Sequence, residues 1–295
     1  MKILQAQHLG MCFGVRDAIA LAEQHAEHQP VTVLGELVHN ETVLNHLRER
    51  GVRFERELSL VATKDVIITA HGTSASALER VRARGFNVAE ATCPLVHFAH
   101  RSVARLVADG FHPVIIGKRD HVEVRGVTED LAEFDVVLTD DDVLALREHP
   151  RFGVAAQTTQ PIDRVRHLVR LIQQRFPKSE VRFIDTVCQP TKQRQTAAIA
   201  LARQCDVVIV IGGAHSNNTK ELAETCRRYC ERVHKIQTAA DLREEWFCAG
   251  DTVGITAGTS TPDVTIAGVE RWLFDLATQF QTKEKYETAT ALTAA

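Results

Sequence analysis

No one sign of charge dominates this chain: Lys+Arg 35 stand against Asp+Glu 38 in 295 residues, a formal net charge of −3. A protein that grips nucleic acid through many phosphate contacts needs a clear basic excess, so that class is not expected, although a small basic pocket stays open. Long apolar runs are missing too. Stretches such as Val207–Ile211 fall far short of the ~20 residues that span a bilayer. Met1–Gly10 has no apolar segment behind its single Lys, so neither a membrane helix nor a secretion signal is expected, and the cytoplasm is the expected compartment. No nucleotide-binding glycine fingerprint is found. What remains, 44% hydrophobic and 25% charged residues, excludes disorder, collagen and coiled coil and points to about two to three globular domains with a large buried core.

Seven cysteines, an odd number in a chain without a secretion signal, argue against a disulfide scaffold and for free thiols or metal ligands. Cys205, Cys226, Cys230 and Cys248 lie in or beside apolar periodic stretches and read as small buried hydrophobes. Cys226 and Cys230 have helical spacing, but no matching His or Cys pair lies nearby to complete a metal site. Cys12, Cys93 and Cys188 differ. Each follows a strand-like run (Lys2–Ala6, Phe86–Ala91, Val181–Asp185) and precedes a helical one (Val15–Glu23, Leu95–Val107, Thr191–Ala202).

A second marker repeats with these cysteines. Three β-rich runs end in Gly at a nearly constant distance after the cysteine, at Gly35, Gly117 and Gly212, and each has a polar residue four positions on: His39, His121 and Ser216. A third marker closes each unit, a strand running into a small polar turn: Val66–Ala70 before His71-Gly72-Thr73-Ser74, Val154–Ala156 before Gln157-Thr158-Thr159, and Ile255–Ala257 before Gly258-Thr259-Ser260. Amphipathic runs follow at Ala77–Arg84, Ile162–Phe176 and, more loosely, Val264–Leu276. Strand, Cys, helix, strand, Gly turn, helix, strand, polar turn, helix calls for parallel sheets with crossover helices. The expected fold is therefore α/β, with three pseudo-threefold-related units over residues 13–92, 93–186 and 187–280, the N-terminal strand within 1–12 completing the third, and a flexible tail over 283–295. Ligands in such sheets bind beyond the carboxyl ends of the strands, where every marker lies. Packed about a pseudo-threefold axis, the units would bring all the markers to one cleft.

Three thiolates brought close together hold one another protonated unless a cation joins them. Zinc and an iron–sulfur cluster are the candidates. Structural zinc favours paired cysteines and a fourth protein ligand, whereas these three thiols are isolated and far apart in sequence, which favours the cluster; three ligands on four irons leave one iron open to a substrate oxygen. His121-Val122-Glu123, taken as an extended segment, puts an imidazole and a carboxylate on the same side, suited to relaying protons. A zinc deaminase also begins with H-x-E, but its P-C-x-x-C is absent. Gly212-Gly213-Ala214-His215-Ser216-Asn217-Asn218-Thr219 leads from the strand Val207–Ile211 into a helical run, Lys220–Tyr229. It reads either as a phosphate site or as a simple helix cap by Asn218 or Thr219. His39 and His71, at the matching turns, are candidate diphosphate ligands.

Taken in order, Gly10-Met11-Cys12-Phe13-Gly14-Val15, Leu37-Val38-His39-Asn40, Ala70-His71-Gly72, Ala91-Thr92-Cys93-Pro94-Leu95-Val96, His121-Val122-Glu123-Val124, Gln157-Thr158-Thr159, Cys188, Ser216-Asn217-Asn218 and Thr256-Ala257-Gly258-Thr259-Ser260-Thr261-Pro262-Asp263 resemble the LytB-type 4-hydroxy-3-methylbut-2-enyl diphosphate reductases of the non-mevalonate isoprenoid pathway. The resemblance implies a trefoil of three α/β units around a 4Fe-4S cluster held by Cys12, Cys93 and Cys188. It implies reductive removal of an allylic hydroxyl to give isopentenyl and dimethylallyl diphosphate, with electrons from ferredoxin or flavodoxin. Glu123 would be the proton donor, His121 and Thr158 its relay partners, and His39, His71, Ser216, Asn217, Asn218 and Ser260 would bind the diphosphate. Such a donor must stay protonated near neutral pH, which a dry cleft and a nearby diphosphate would favour. The sequence departs from the family at Asn217, where a serine is usual, at Val122, where proline is common, and at Arg125. A paralogue reducing another allylic or diphosphate substrate, and a non-catalytic iron–sulfur sensor, are the alternatives.

Overall fold

The structure is a computed structural model that describes residues 1–293, with side chains through Lys283. In chain order its main elements are β1 (Lys2–Gln5), α1 (Phe13–His28), β2 (Val31–Leu34), α2 (Glu41–Glu49), β3 (Arg53–Glu55), β4 (Asp65–Ile68), α3 (Ala75–Ala83), β5 (Asn87–Glu90), α4 (Pro94–Ala108), β6 (His112–Ile116), α5 (Val122–Thr128), β7 (Asp135–Val137), α6 (Asp140–Leu144), β8 (Arg151–Ala156), α7 (Ile162–Arg175), β9 (Glu180–Phe183), α8 (Gln189–Ala202), β10 (Val207–Ile211), α9 (Asn217–Arg227), β11 (Arg232–Ile236), β12 (Thr252–Ala257) and α10 (Asp263–Thr293). The tail expected over 283–295 overlaps the end of α10; its side chains from residue 284 on, and residues 294–295 entirely, lie outside the described residues. No helix among the described residues is long and apolar enough to cross a membrane.

The strands form three four-stranded sheets, ordered β3-β2-β4-β5, β7-β6-β8-β9 and β11-β10-β12-β1, in which every pair is parallel. One topology is used three times. From the first strand of each set the chain goes to an edge strand, then crosses back to the other side of the first strand, which creates a switch point between β2 and β4, β6 and β8, and β10 and β12. The fourth strand is β5, β9 or β1, and each of these leads to one of the cysteines Cys93, Cys188 and Cys12.

Two compact units carry these sheets. The first comprises residues 1–11, 39–42 and the chain from Gln193 on, and holds the sheet of β10. Side-chain alternation along β10 divides its core in two. Val207, Ile209 and Ile211 join Val269 and Leu273 of α10 on one face, and Val208 and Val210 join Ala198, Ala202, Leu222 and Cys226 of α8 and α9 on the other. A strand buried on both faces must be apolar throughout, as β10 is. Cys226 and Cys230 are buried hydrophobes, as expected, and Cys205 is half-buried against them, whereas Cys248, expected to be buried too, is exposed.

The second unit, residues 12–38 and 43–192, holds the other two sheets. Phe152, Ile116, Leu168 and Ile172 centre the larger apolar cluster of the β6 sheet, and Ile115, Val103 and Val124 line its opposite face. The two sheets of this unit are tied where α5 ends. Glu129 accepts from Ser74 Oγ (2.7 Å) and pairs with Arg80, while Asp130 accepts the backbone N–H groups of Ala75 and Ser76 at the start of α3. A carboxylate at orphan helix N–H groups is well placed for the helix dipole.

Candidate active site

Within the second unit, Cys12 and Cys93 are the N-cap residues of α1 and α4. Cys188 precedes α8, and its carbonyl accepts the N–H groups of Thr191 and Lys192. Cys93 is anchored by its N–H to the carbonyl of Ala70, just before His71, and Cys188 by its N–H to the carbonyl of Thr158. Cys93 and Cys188 are thus each stitched to the polar turn that follows the neighbouring strand. All seven cysteines are free thiols.

Burial pushes the Cys93 thiol above its usual range and the Cys188 thiol up to about 11. In both cases backbone hydrogen bonds pull the other way and lose, and the charges of Cys12 and Glu123 add to the rise. Cys12 and Glu123 therefore sit within electrostatic reach of both Cys93 and Cys188, with no cationic side chain among the groups that shift those two thiols. Desolvated thiols whose neighbours also oppose ionisation are matched to a cationic inorganic group, which would stabilise them as thiolates. Gly14 keeps this space open: a Cβ there would lie 2.5 Å from Cys93 Sγ. Thr191 adds a hydroxyl 3.0 Å from Cys188 Sγ. The residues fit a cluster held by three thiolates.

His121-Val122-Glu123 is not extended. His121 is the N-cap of α5 and Glu123 lies in its first turn, with the Glu123 N–H donating to His121 Nδ1 at 3.2 Å. An imidazole can replace Ser or Asp as a cap because its unprotonated nitrogen accepts an orphan helix N–H. Accepting at Nδ1 leaves the ring proton on Nε2. His71 packs edge-on against this ring, with centroids 5.6 Å apart.

Glu123 is 2% exposed. Its Oε1 accepts the N–H of Thr158 at 2.6 Å and its Oε2 the hydroxyl of Thr158 at 3.0 Å. Those bonds favour the carboxylate, yet burial outweighs them and pushes the pKa up to about 7. The cause is visible around it: Val103, Ile115, Val127 and Ala155 share with Glu123 a void of about 10 Å³, at the lower limit for a single water. A carboxylic acid held half-protonated at neutral pH can give up a proton and recover it.

The first unit carries the remaining candidates. Ser216, not Asn218 or Thr219, caps α9, accepting the Thr219 N–H at 3.2 Å. Asn217 and Asn218 occupy the first turn, and the amide nitrogens of both, with the Thr219 hydroxyl, are buried without a hydrogen-bond partner. Buried orphan donors at a helix N-terminus fit an anion. The backbone of His39 passes against Gly213, where a Cβ would overlap its carbonyl oxygen, and that same carbonyl accepts the Ser260 hydroxyl at 3.4 Å. His39, Ser216, Asn217, Asn218 and Ser260 are thus gathered within this unit, beyond the ends of β10 and β12.

Two residues escaped the sequence reading. Thr191 carried a local signal, being one helical turn from Cys188. Arg194 carried none: it is 8% exposed and donates from Nε and Nη2 to the carbonyl of Gly10 (2.9 and 2.6 Å), a backbone contact no side-chain pattern announces.

The family described as LytB protein matches residues 3–274. A relative from Trichlorobacter lovleyi named 4-hydroxy-3-methylbut-2-enyl diphosphate reductase is 39% identical over 277 residues, 93% of this chain and 95% of its own length. One of the same name from Neisseria meningitidis is 36% identical and covers 92% of this chain and 87% of its own. Among solved structures, an E-1-hydroxy-2-methyl-but-2-enyl-4-diphosphate reductase from Plasmodium falciparum superposes with a TM-score of 0.85 at 28% identity, covering 90% of this chain and 86% of that one. A second, described as the terminal enzyme of the non-mevalonate pathway, gives 0.67 at 36% identity over 93% of this chain and 100% of its own. With matches of that length and identity, the chain belongs to the LytB family.

Proposed function

We propose that this chain is a 4-hydroxy-3-methylbut-2-enyl diphosphate reductase, removing the allylic hydroxyl as water with two electrons and two protons and giving isopentenyl and dimethylallyl diphosphate. The observation that carries the reading is the buried Glu123, poised near neutrality and within electrostatic reach of the desolvated thiols of Cys93 and Cys188. Cys12, Cys93 and Cys188 would hold a 4Fe-4S cluster. When bound, the cluster supplies electrons and an iron site that activates the hydroxyl as a leaving group. Ferredoxin or flavodoxin is the proposed electron donor, consistent with the absence of a nucleotide-binding fingerprint.

Hydroxide leaves poorly, so an acid must protonate it as the C–O bond breaks. Glu123 is that acid, and Thr158 holds it by amide and hydroxyl together, fixing both oxygens. His121, capping α5 through Nδ1, keeps a proton on Nε2 and orients the first turn on which Glu123 sits. His71 lies against this ring and, with His39, is assigned to the diphosphate. Ser216, Asn217, Asn218 and Ser260 complete the proposed diphosphate ligands, the orphan amide donors supplying the strongest support.

Anaerobically purified protein, assayed for iron and acid-labile sulfide and then given the hydroxymethylbutenyl diphosphate with a chemical reductant, tests the reading. Four irons, four sulfides and conversion to the two products are expected. Zinc without sulfide would remove the redox reading, and turnover of a different allylic diphosphate alone would reassign the substrate. Glu123→Gln should keep the iron and lose turnover by about 100-fold or more; full activity in that variant would refute the acid role.

A further inference from the structure

At the opposite end of the β6 sheet from Glu123 and Thr158, three side chains of the second unit converge. His112 opens β6, Asp135 opens β7, and His149 lies two residues before β8. One donor atom from each lies within 4.8 Å of the other two, and all three residues are half-buried. We propose that His112, Asp135 and His149 form a second metal site, for Zn²⁺, separate from the cysteines.

The geometry is held from several directions. His112 Nε2 lies 2.9 Å from Asp135 Oδ2. The two imidazoles stack with centroids 3.7 Å apart and planes 9° from parallel, and both rest edge-on against the buried ring of Phe152. Ser179 fixes the turn by donating its hydroxyl to the His149 carbonyl at 2.6 Å. Two nitrogens and a carboxylate oxygen already this close need a splay of the two rings to meet one cation, with bonds of about 2.0–2.2 Å. The donors choose the metal: two imidazoles and one carboxylate suit Zn²⁺, whereas Mg²⁺ and Ca²⁺ prefer all-oxygen shells.

The surroundings favour a cation as well. The two histidines border an open groove of about 380 Å³ that Glu133 and Arg151 also line. Arg151 is occupied elsewhere, its guanidinium stacked on Phe111 at 3.9 Å and bonded to Glu180 at 3.0 Å. Glu133 remains as the acidic side chain on the groove, and water can supply a fourth ligand. Such a site would fasten the starts of β6 and β7 to the connection that enters β8.

The test is a titration of the anaerobically purified protein with Zn²⁺ against a chelating indicator dye, followed by X-ray absorption at the zinc edge. One Zn²⁺ per chain is expected, with nitrogen and oxygen neighbours including two imidazoles. His149→Ala and Asp135→Asn should each weaken binding by about tenfold or more while iron content and turnover stay at wild-type values. Asp135→Asn retains a hydrogen-bonding partner for His112, so it separates ligation from simple packing, and His149→Gln replaces His149→Ala if that variant misfolds. Equal zinc affinity in wild type and variants, or sulfur neighbours in the absorption spectrum, would overturn the proposal.

Discussion

The carboxyl group of Glu123 is buried in the second unit, and its titration has a consequence for folding. Glu123 has a reference pKa of 4.5 and a folded value of about 7. Below 4.5 both states are protonated and the group is neutral to stability. Between 4.5 and 7 the unfolded chain ionises while the folded one stays protonated, so stability falls with rising pH and levels off above 7. That difference corresponds to about 3 kcal/mol at alkaline pH. Glu123→Gln, whose amide oxygen can accept the Thr158 N–H while its NH2 donates to the Thr158 hydroxyl oxygen, should therefore raise the melting temperature of metal-free protein at pH 8 and leave it nearly unchanged at pH 4.5. Thermal unfolding across that range measures it, and a constant offset at every pH would contradict the burial argument. The cysteines divide as sharply. Cys12→Ser, Cys93→Ser and Cys188→Ser should each lose most of the bound iron, whereas Ala at Cys205, Cys226, Cys230 or Cys248 should retain it, with at most about 1–2 kcal/mol of packing loss at the buried ones. Iron per chain is the readout, and equal losses across all seven would erase the distinction. Cys12, Cys93 and Cys188 were legible because their spacing recurs with the glycines. The reach of Thr158 back to Glu123 was legible only in part: the motif placed both residues near strand ends, but the double hydrogen bond depends on the turn's conformation.

Helix starts bear most of the candidate site, and they are where sequence and structure part. The H-x-E segment reads as extended from its spacing, yet a histidine N-cap turns it into the first turn of α5. The turn at Ser216-Asn217-Asn218 reads either as a phosphate site or as a cap by Asn218 or Thr219; it is Ser216 that caps α9, and the asparagine amide nitrogens are left without a hydrogen-bond partner. Both differences arise because capping depends on which side chain reaches the orphan N–H groups, a choice several neighbours can make. The central strands, by contrast, were plain, since burial on both faces demands apolar runs. The three-residue strands β3 and β7 carry too little pattern to announce themselves. Two helix starts give tests. Gly14→Ala should improve α1 by helix propensity alone, but its Cβ would enter the space of Cys93 Sγ. Iron content should drop severalfold while far-ultraviolet circular dichroism is preserved. Ser216→Ala removes the α9 cap and should cost about 1 kcal/mol of stability, with a rise in KM for the diphosphate, whereas Ser216→Thr should restore both.

Across the whole molecule one sheet plan occurs three times, but the chain threads it with an offset. In the sheets of β2 and β6 the fourth strand follows the third through α3 or α7. In the sheet of β10 the fourth strand is the N-terminal β1, so the start of the chain completes the sheet built by its last part. Residues Lys2–Gln5 pair in register with Thr252–Ile255, and the backbone N–H groups of Lys2 and Ala6 donate to Asp251 and Ile255. Since donors alternate along a strand, the N–H of Leu4 also points into the sheet and that of Gln5 points to its open edge. Proline removes a donor, so its effect depends on which side it strikes. Leu4→Pro should break the ladder and lower stability by about 3 kcal/mol or more, whereas Gln5→Pro, losing only an edge donor and the side-chain bond to Glu270, should cost markedly less. Chemical denaturation of the two variants side by side decides it. Equal losses would mean that β1 is held by side-chain packing alone and that the closing of this sheet by the N-terminus adds no hydrogen-bonded stability.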